Sequence, residues 1–186
     1  MKIKIPLEQM EPIAKSIVDK LNPHCERIEV AGSIRRRKAE VGDIEIVCIP
    51  KTLEARDLLG NVNIGTSYHF TEAVSKLGTR TKDGPAYKQI ELDLGYVLDL
   101  FITTPEKWGV IFTIRTGSAD FSKWLVTPRK WGGALPSQYE VRDGRVWCGF
   151  KALDTPEEID FFRLCQLDYI SPPLRSGPIP GRVAAS

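Results

Sequence analysis

Long apolar runs are missing from this 186-residue chain. No stretch approaches the length needed to span a bilayer, and Met1 to Pro6 alternates basic and apolar residues without the core of a secretory signal. Histidine is scarce: His24 and His69 have no cysteine or histidine partner at ligand spacing, which argues against a zinc site. Cys25, Cys48, Cys148 and Cys165 are scattered without metal spacing, three of them in apolar surroundings, as expected of small core residues in a reducing, intracellular setting. A strong excess of one charge is missing too. The formal net charge is only +2, so nucleic-acid binding would have to come from local basic patches. Internal repeats and long low-complexity blocks are absent. What remains is an ordinary globular composition, 42% hydrophobic, enough for a core and for one or two domains.

Against this plain background one segment stands out. Gly32-Ser33-Ile34-Arg35-Arg36 is followed, after a short basic stretch, by Gly42-Asp43-Ile44-Glu45-Ile46-Val47. Side chains alternate along a strand, so Asp43 and Glu45 are expected to project from one face, beside a turn suited to phosphate. Hard cations such as Mg2+ take oxygen ligands and keep contact with substrate phosphates, so this pairing implies a bound nucleoside triphosphate. A third acid is expected on a neighbouring strand, and Asp99, alone among the apolar residues of Tyr96 to Ile102, fits. The bland alternative has Asp43 capping a turn, Glu45 on a solvated strand face and Asp99 a stray. A lone charge in an apolar run is costly unless paired or metal-bound, which disfavours that alternative for Asp99.

The periodicities predict a one-sided helix opened by Pro6 and ending near Asn22-Pro23, a strand from Arg27 to Ala31, and a short helix after the Gly-Ser turn. Further expectations are a strand from Asp43 to Ile49, helices around Leu53 to Leu59 and Thr71 to Leu77 with a loop from Gly60 to Ser67 between them, and a strand from Tyr87 to Leu94. The pattern changes after Thr104. Pro105 starts a helix bearing Trp108, Ile111 and Phe112; Thr116-Gly117-Ser118 breaks it and caps a second helix with Phe121, Trp124 and Leu125. Trp108 and Trp124 read as core, whereas Trp131 beside Gly132-Gly133 reads as exposed. Tyr139 to Trp147 reads as a two-stranded hairpin around Asp143-Gly144, and Thr155-Pro156-Glu157-Glu158 as a capping box. Residues 176–186 look like a flexible tail.

These stretches together resemble the palm and thumb of an X-family, beta-like DNA polymerase within the nucleotidyltransferase superfamily. Lys4-Ile5-Pro6 with its helix is similar to the start of that palm, Gly32 to Val47 to the family's Gly-Ser plus acidic-pair motif, and Thr116-Gly117-Ser118 with Phe121 to its nucleotide-pocket turn. Thr155 to Arg175, ending in Leu167-Asp168-Tyr169-Ile170-Ser171-Pro172-Pro173-Leu174-Arg175, resembles the end of its thumb. The resemblance implies an α+β fold: a palm over residues 1–104 with a mixed sheet carrying helices, and a small α+β thumb over 105–175. It is similar to the family's minimal two-domain form, with no deoxyribose-phosphate lyase domain ahead of the palm. DNA grip would then be weak and strongly salt-dependent.

The implied chemistry is two-metal nucleotidyl transfer to a primer 3′-hydroxyl, with short-gap filling in repair as the expected role. Asp43 and Glu45 would bridge two Mg2+ ions, with Mn2+ as an alternative, and Asp99 would bind only the catalytic one. Gly32 and Ser33 would hold the phosphates. Arg36 would add a cationic fork, a task open also to Arg35 or Arg37, against the plainer reading of a solvated basic surface. Lys4 stands where the family has an arginine at the triphosphate, though a lysine so near a terminus is equally an ordinary exposed residue. The nucleotide pocket would include Ile114, Arg115, Gly117, Ser118 and Ser122, and the DNA contacts Lys123, Val126, Arg129, Lys130 and Trp131. The implied partners are primer-template or gapped DNA and nucleoside triphosphates, with no membrane and a monomeric state. The implied location is intracellular, cytoplasmic or with the nucleoid or nucleus in a cellular enzyme, with a virus- or phage-encoded enzyme as the alternative.

This sequence departs from the family at several points. Glu45 replaces the usual aspartate, moving the carboxylate outward by one methylene. Ile114-Arg115 replaces a tyrosine-phenylalanine pair that lies against the sugar, so ribonucleotide incorporation is expected. Val126 stands where the family often has a template-contacting arginine, which implies modest fidelity. Two rival functions remain open: a template-independent nucleotidyltransferase acting on RNA, protein or a small molecule, and a non-enzymatic DNA-end-binding module.

Overall fold

A computed structural model, describing residues 4–56 and 62–178, folds the chain as an α+β protein with a mixed five-stranded sheet and six α-helices among the described residues. A two-residue strand β1 (Ile5–Pro6) enters α1 (Leu7–Leu21), whose buried Met10, Ala14, Ile17 and Leu21 share one face at helical spacing. Then come β2 (Cys25–Val30), the single-turn helix α2 (Gly32–Arg35), β3 (Glu40–Val41) pairing with β1, and β4 (Ile44–Pro50). A separate antiparallel pair, β5 (Thr52–Arg56) and β6 (Val62–Thr66), leads to α3 (Tyr68–Ser75) and on to β7 (Thr79–Asp83), β8 (Tyr87–Glu91) and β9 (Val97–Ile102). The large sheet runs β2-β4-β9-β8-β7, with β4 and β9 parallel and the other pairings antiparallel. Beyond it lie α4 (Trp108–Thr116), α5 (Ala119–Val126), an antiparallel sheet of β10 (Tyr139–Arg142), β11 (Arg145–Cys148) and β12 (Lys151–Leu153), and α6 (Glu158–Leu164).

Strand alternation sorts the two faces of the large sheet. Ile44, Ile46 and Cys48 of β4, Leu98 and Leu100 of β9 and Ile90 of β8 turn to the cluster that α1 and α3 complete. Val47, Ile49 and Phe101 turn the other way and meet Trp108 and Phe112 of α4 in a third cluster, which links the sheet to the core built from Val110, Phe121, Leu125, Phe161 and Phe162. By the same alternation Glu45, Asp99, Tyr87 and Gln89 lie on the α4 face of the sheet.

Several sequence expectations need correcting. Leu53 to Leu59 was expected to be helical, but Thr52–Arg56 is a strand and the remainder lies outside the described residues. Its alternation of polar Thr52, Glu54 and Arg56 with Leu53 and Ala55 is a period of two, hidden under residues of good helix propensity. The loop from Gly60 to Ser67 contains the partner strand β6. The helix placed at Thr71 to Leu77 runs over Tyr68–Ser75. β4 starts at Ile44, so Asp43 stands one residue ahead of the strand. The hairpin gains a third strand, β12. The capping box sits two residues later than expected: Glu157 is the N-cap and Asp160 its reciprocal partner, while Thr155 is buried, its backbone NH donating to the Glu106 carbonyl at 2.9 Å. Residues 176–178 of the supposed tail are described and 179–186 lie outside the described residues. Trp108 and Trp124 are core and Trp131 is 71% exposed, as their spacing implied.

Candidate functional site

Three acidic residues come together on the interior strands β4 and β9 and just ahead of β4. Glu45 and Asp99 are cross-strand partners in the parallel β4–β9 ladder, and Asp43 lies two residues before Glu45, just ahead of β4. Their proximity is written in the electrostatics: burial and then the neighbouring Asp43, with a further push from Asp99, raise the Glu45 carboxyl to about 7 against the pull of Arg36 and Arg115. No group of three His, Cys, Asp or Glu side chains among the described residues is arranged to ligate an ion as the chain stands. The donor set itself, three carboxylates of which two act electrostatically on the third, has the chemistry of a Mg2+ or Mn2+ site.

The turn beside the acids is shaped for close approach. Gly32 has φ +61°, a left-handed value, and a Cβ there would collide with the Glu45 carboxylate. The next residue, Ser33, has a buried Oγ with no hydrogen-bond partner in the chain. Arg36 Nε is likewise buried and unpartnered, although Arg36 Nη1 donates to the Thr116 carbonyl at 2.5 Å. Burial holds the Arg36 guanidinium below its usual pKa even though Glu45 and Asp43 favour its charge. Two orphaned polar groups beside three acids are consistent with an anionic ligand bridged by cations.

The basic run separates by direction. Arg35 is tied to Glu158, its Nη1 donating to Oε1 at 2.9 Å and to Thr116 Oγ1 at 2.7 Å, its Nη2 to Glu158 Oε2 at 2.7 Å, while its guanidinium lies 3.8 Å over the Phe112 ring. Arg37 is paired with Glu11. Neither alternative to Arg36 therefore has a free fork. Arg115 at the end of α4 is exposed, lies 4.0 Å over the Phe101 ring and acts electrostatically on Glu45, so it belongs to the site.

The other residues singled out in the sequence fall elsewhere. Lys4 is exposed. Ile114 and Val126 pack against the carboxy-terminal core. Ser122 Oγ donates to the Ile114 carbonyl at 2.6 Å, and Ser118 caps α5 by accepting from the Phe121 NH at 3.2 Å. Gly117 sits so close to Phe121 and Ser122 that a side chain there would displace them. Lys123 and Lys130 are exposed, and Lys130 Nζ stands 4.4 Å over the Trp131 ring. Arg129 is engaged internally, its Nε donating to the Ala134 carbonyl at 3.3 Å, Nη1 to Gln166 Oε1 at 2.7 Å and Nη2 to the Cys165 carbonyl at 3.0 Å.

Two features escaped the sequence reading. Asp99 is not alone: its Oδ1 accepts from Tyr87 Oη at 2.6 Å and Gln89 Nε2 at 2.9 Å, both from β8. The period-two spacing of Tyr87 and Gln89 on an adjoining strand was the available signal. The second is a buried ion network joining the two halves of the chain. Glu158, with its side chain only 7% exposed, takes Arg35 on one side and Arg175 on the other, the latter at 2.5 Å, and also accepts from Tyr169 Oη at 3.1 Å. Burial alone would raise this carboxyl, but the hydrogen bonds from Arg35 and Arg175 outweigh it and pull Glu158 down to about 2. A second tie is bidentate: Arg27 donates to Glu157 at 2.7 and 2.9 Å while its guanidinium lies 4.2 Å over Trp108.

No family model matches the chain, and no curated protein is significantly similar to it.

Proposed function

We propose that this protein is a nucleotidyltransferase of the X-family DNA polymerase type, with residues 1–104 as palm and 105–175 as thumb, extending a primer 3′-hydroxyl at short gaps in DNA. The observation that carries the reading is the junction of the Glu45–Asp99 strand pair and Asp43 with a tight glycine turn whose Ser33 Oγ and Arg36 Nε lack partners. That combination asks for a phosphate-bearing ligand and cations together.

Asp43, Glu45 and Asp99 would hold two Mg2+ ions, or Mn2+ in their place. Bound there, such ions neutralise phosphate charge and lower the pKa of an attacking hydroxyl. Ser33 would donate to a phosphate oxygen, the Gly32 turn would let that phosphate approach the backbone, and Arg36 would offer Nε to the same group. Arg115, the exposed cation above Phe101, would meet the sugar or the α-phosphate where the family places an aromatic ring. Ile114, an aliphatic residue packed against the carboxy-terminal core, cannot stand in for the second ring of that pair, so ribonucleotides should be incorporated measurably. Lys123, Lys130 and Trp131 form the exposed basic and aromatic surface proposed to meet DNA. Among the described residues no helix is long and apolar enough to cross a membrane.

The deciding experiment offers primer-template, one-nucleotide-gapped DNA and unpaired primer to the protein with Mg2+ or Mn2+ and each of the eight nucleotides, beside Asp99→Asn. Templated extension that Asp99→Asn reduces by about a thousandfold is expected, since several kcal/mol of charge stabilisation at the metal would be lost. Extension of unpaired primer alone would favour a template-independent transferase, and no transfer to any acceptor would defeat the proposal.

A further inference from the structure

Asp99 is held in an unsymmetrical way. Tyr87 and Gln89 both donate to Oδ1, and among the described residues no donor reaches Oδ2. The donors are themselves fixed. Gln89 is the cross-strand partner of Asp99, its Nε2 lies within reach of both Asp99 Oδ1 and, at 3.1 Å, Tyr87 Oη, which assigns the amide orientation, and its Oε1 lies 3.1 Å from the Thr81 hydroxyl, whose one proton is shared with the Gln89 main-chain carbonyl at 3.2 Å. Tyr87 stacks on Phe101 at 5.1 Å between ring centroids, and Arg115 covers Phe101 in turn. A carboxylate kept only for structure would gain from donors on both oxygens. Here a three-residue device from β7 and β8 fixes one oxygen from the β8 side and leaves the other without a donor, while Glu45 is the partner of Asp99 on the opposite strand, β4.

We propose that Tyr87 and Gln89 are positioning residues that orient Asp99 so that its remaining oxygen receives a divalent cation of the Mg2+ class, with Thr81 setting the Gln89 amide. This rests on the nucleotidyltransferase reading and adds to it residues that neither touch substrate nor react. Partners of metal-binding carboxylates ordinarily alter metal affinity by about 10- to 100-fold.

The test measures Mn2+ binding by electron paramagnetic resonance on the full chain, without DNA or nucleotide, for wild type, Tyr87→Phe, Gln89→Leu, the double variant, Thr81→Val and Asp99→Asn. We expect each single change at 87 or 89 to weaken Mn2+ binding about tenfold, the double change to weaken it more, and Thr81→Val to have the smallest effect. In nucleotidyl transfer kcat should fall while KM for the nucleotide stays near wild type. Should the double variant fail to fold, the single variants decide by the same measure. If folded Tyr87→Phe and Gln89→Leu proteins bind Mn2+ within twofold of wild type while Asp99→Asn loses it, the positioning role is overturned and the transferase reading survives. Wild type that binds no more Mn2+ than Asp99→Asn overturns both.

Discussion

Glu45 and Glu158 are the same side chain, both largely withdrawn from water and both near the seam between the sheet and α4, yet they are treated in opposite ways. Glu158 is met by two guanidinium groups, a threonine and a tyrosine, and sits at about 2. Glu45 is met by Asp43 and Asp99 and sits at about 7, with Arg36 and Arg115 offsetting only part of the burden. One cluster balances its charge within the chain and joins residues far apart in sequence, although Arg175 Nη2 is itself buried without a partner among the described residues. In the other, burial, Asp43 and Asp99 outweigh Arg36 and Arg115 at Glu45, beside a Ser33 Oγ and an Arg36 Nε that have no hydrogen-bond partner. A protein carries such an imbalance at a cost to its own stability, and the usual return is a ligand that supplies what is missing.

The sharpest way to break the comparison is to remove the negative charge from the Glu158 cluster. Glu158→Gln keeps the shape but strands Arg35 and the fully buried Arg175, so it should cost about 3–5 kcal/mol. Thermal denaturation should show a fall of roughly 10 °C or more. The pH dependence gives the sign independently. The folded Glu158 carboxyl lies below its ordinary 4.5, so its stabilisation is present above pH 4.5 and is lost as pH falls toward 2. Wild type should lose of order 3 kcal/mol across that window, from a shift of some two to three units at about 1.4 kcal/mol each. Glu158→Gln should show a flatter curve there. Equal slopes for the two proteins would refute the assignment.

A smaller effect is expected from the turn that separates the clusters. Gly32→Ala places a side chain at φ +61° and against the Glu45 carboxylate. The left-handed backbone should cost about 1–2 kcal/mol in denaturant unfolding. Divalent-cation binding should suffer more than stability, because the group driven aside is itself a proposed ligand. A variant destabilised by this amount that binds Mn2+ as wild type does would show that Glu45 takes no part.

The acidic cluster was largely legible in the sequence and the Glu158 cluster was not. Gly32, Ser33, Asp43 and Glu45 fall within one short segment, and Asp99 announced itself as a charge in an apolar run, so local spacing was enough to gather them. Arg35 and Glu158 are 123 residues apart and look like members of a basic run and a helix start. Adjacent residues of a turn point in different directions, and nothing local says that Arg35 faces α6, Arg36 the acids and Arg37 Glu11. The fold shows the same division. Amphipathic α1 and the turn between α4 and α5 carried clear signals, whereas β7, reading Thr79-Arg80-Thr81-Lys82-Asp83 and exposed throughout, has no apolar period to betray an edge strand. That strand matters, because Thr81 reaches the Gln89 amide and through it Asp99.

The smallest expected effect has the opposite sign to the first and is the one that tests the contrast itself. Glu45→Gln removes one of three like charges while keeping nearly the same volume, in a place where burial and Asp43 already disfavour ionisation. In chelator-treated protein at pH 8 it should therefore stabilise the fold by about 1 kcal/mol, a rise of roughly 2–4 °C for a chain of this size. Added Mg2+ should then stabilise wild type and leave the variant nearly unchanged, since binding to the native state alone raises stability by mass action. If Glu45→Gln instead destabilises the metal-free protein as Glu158→Gln does, Glu45 is a satisfied structural acid, and the imbalance on which the proposed function depends does not exist.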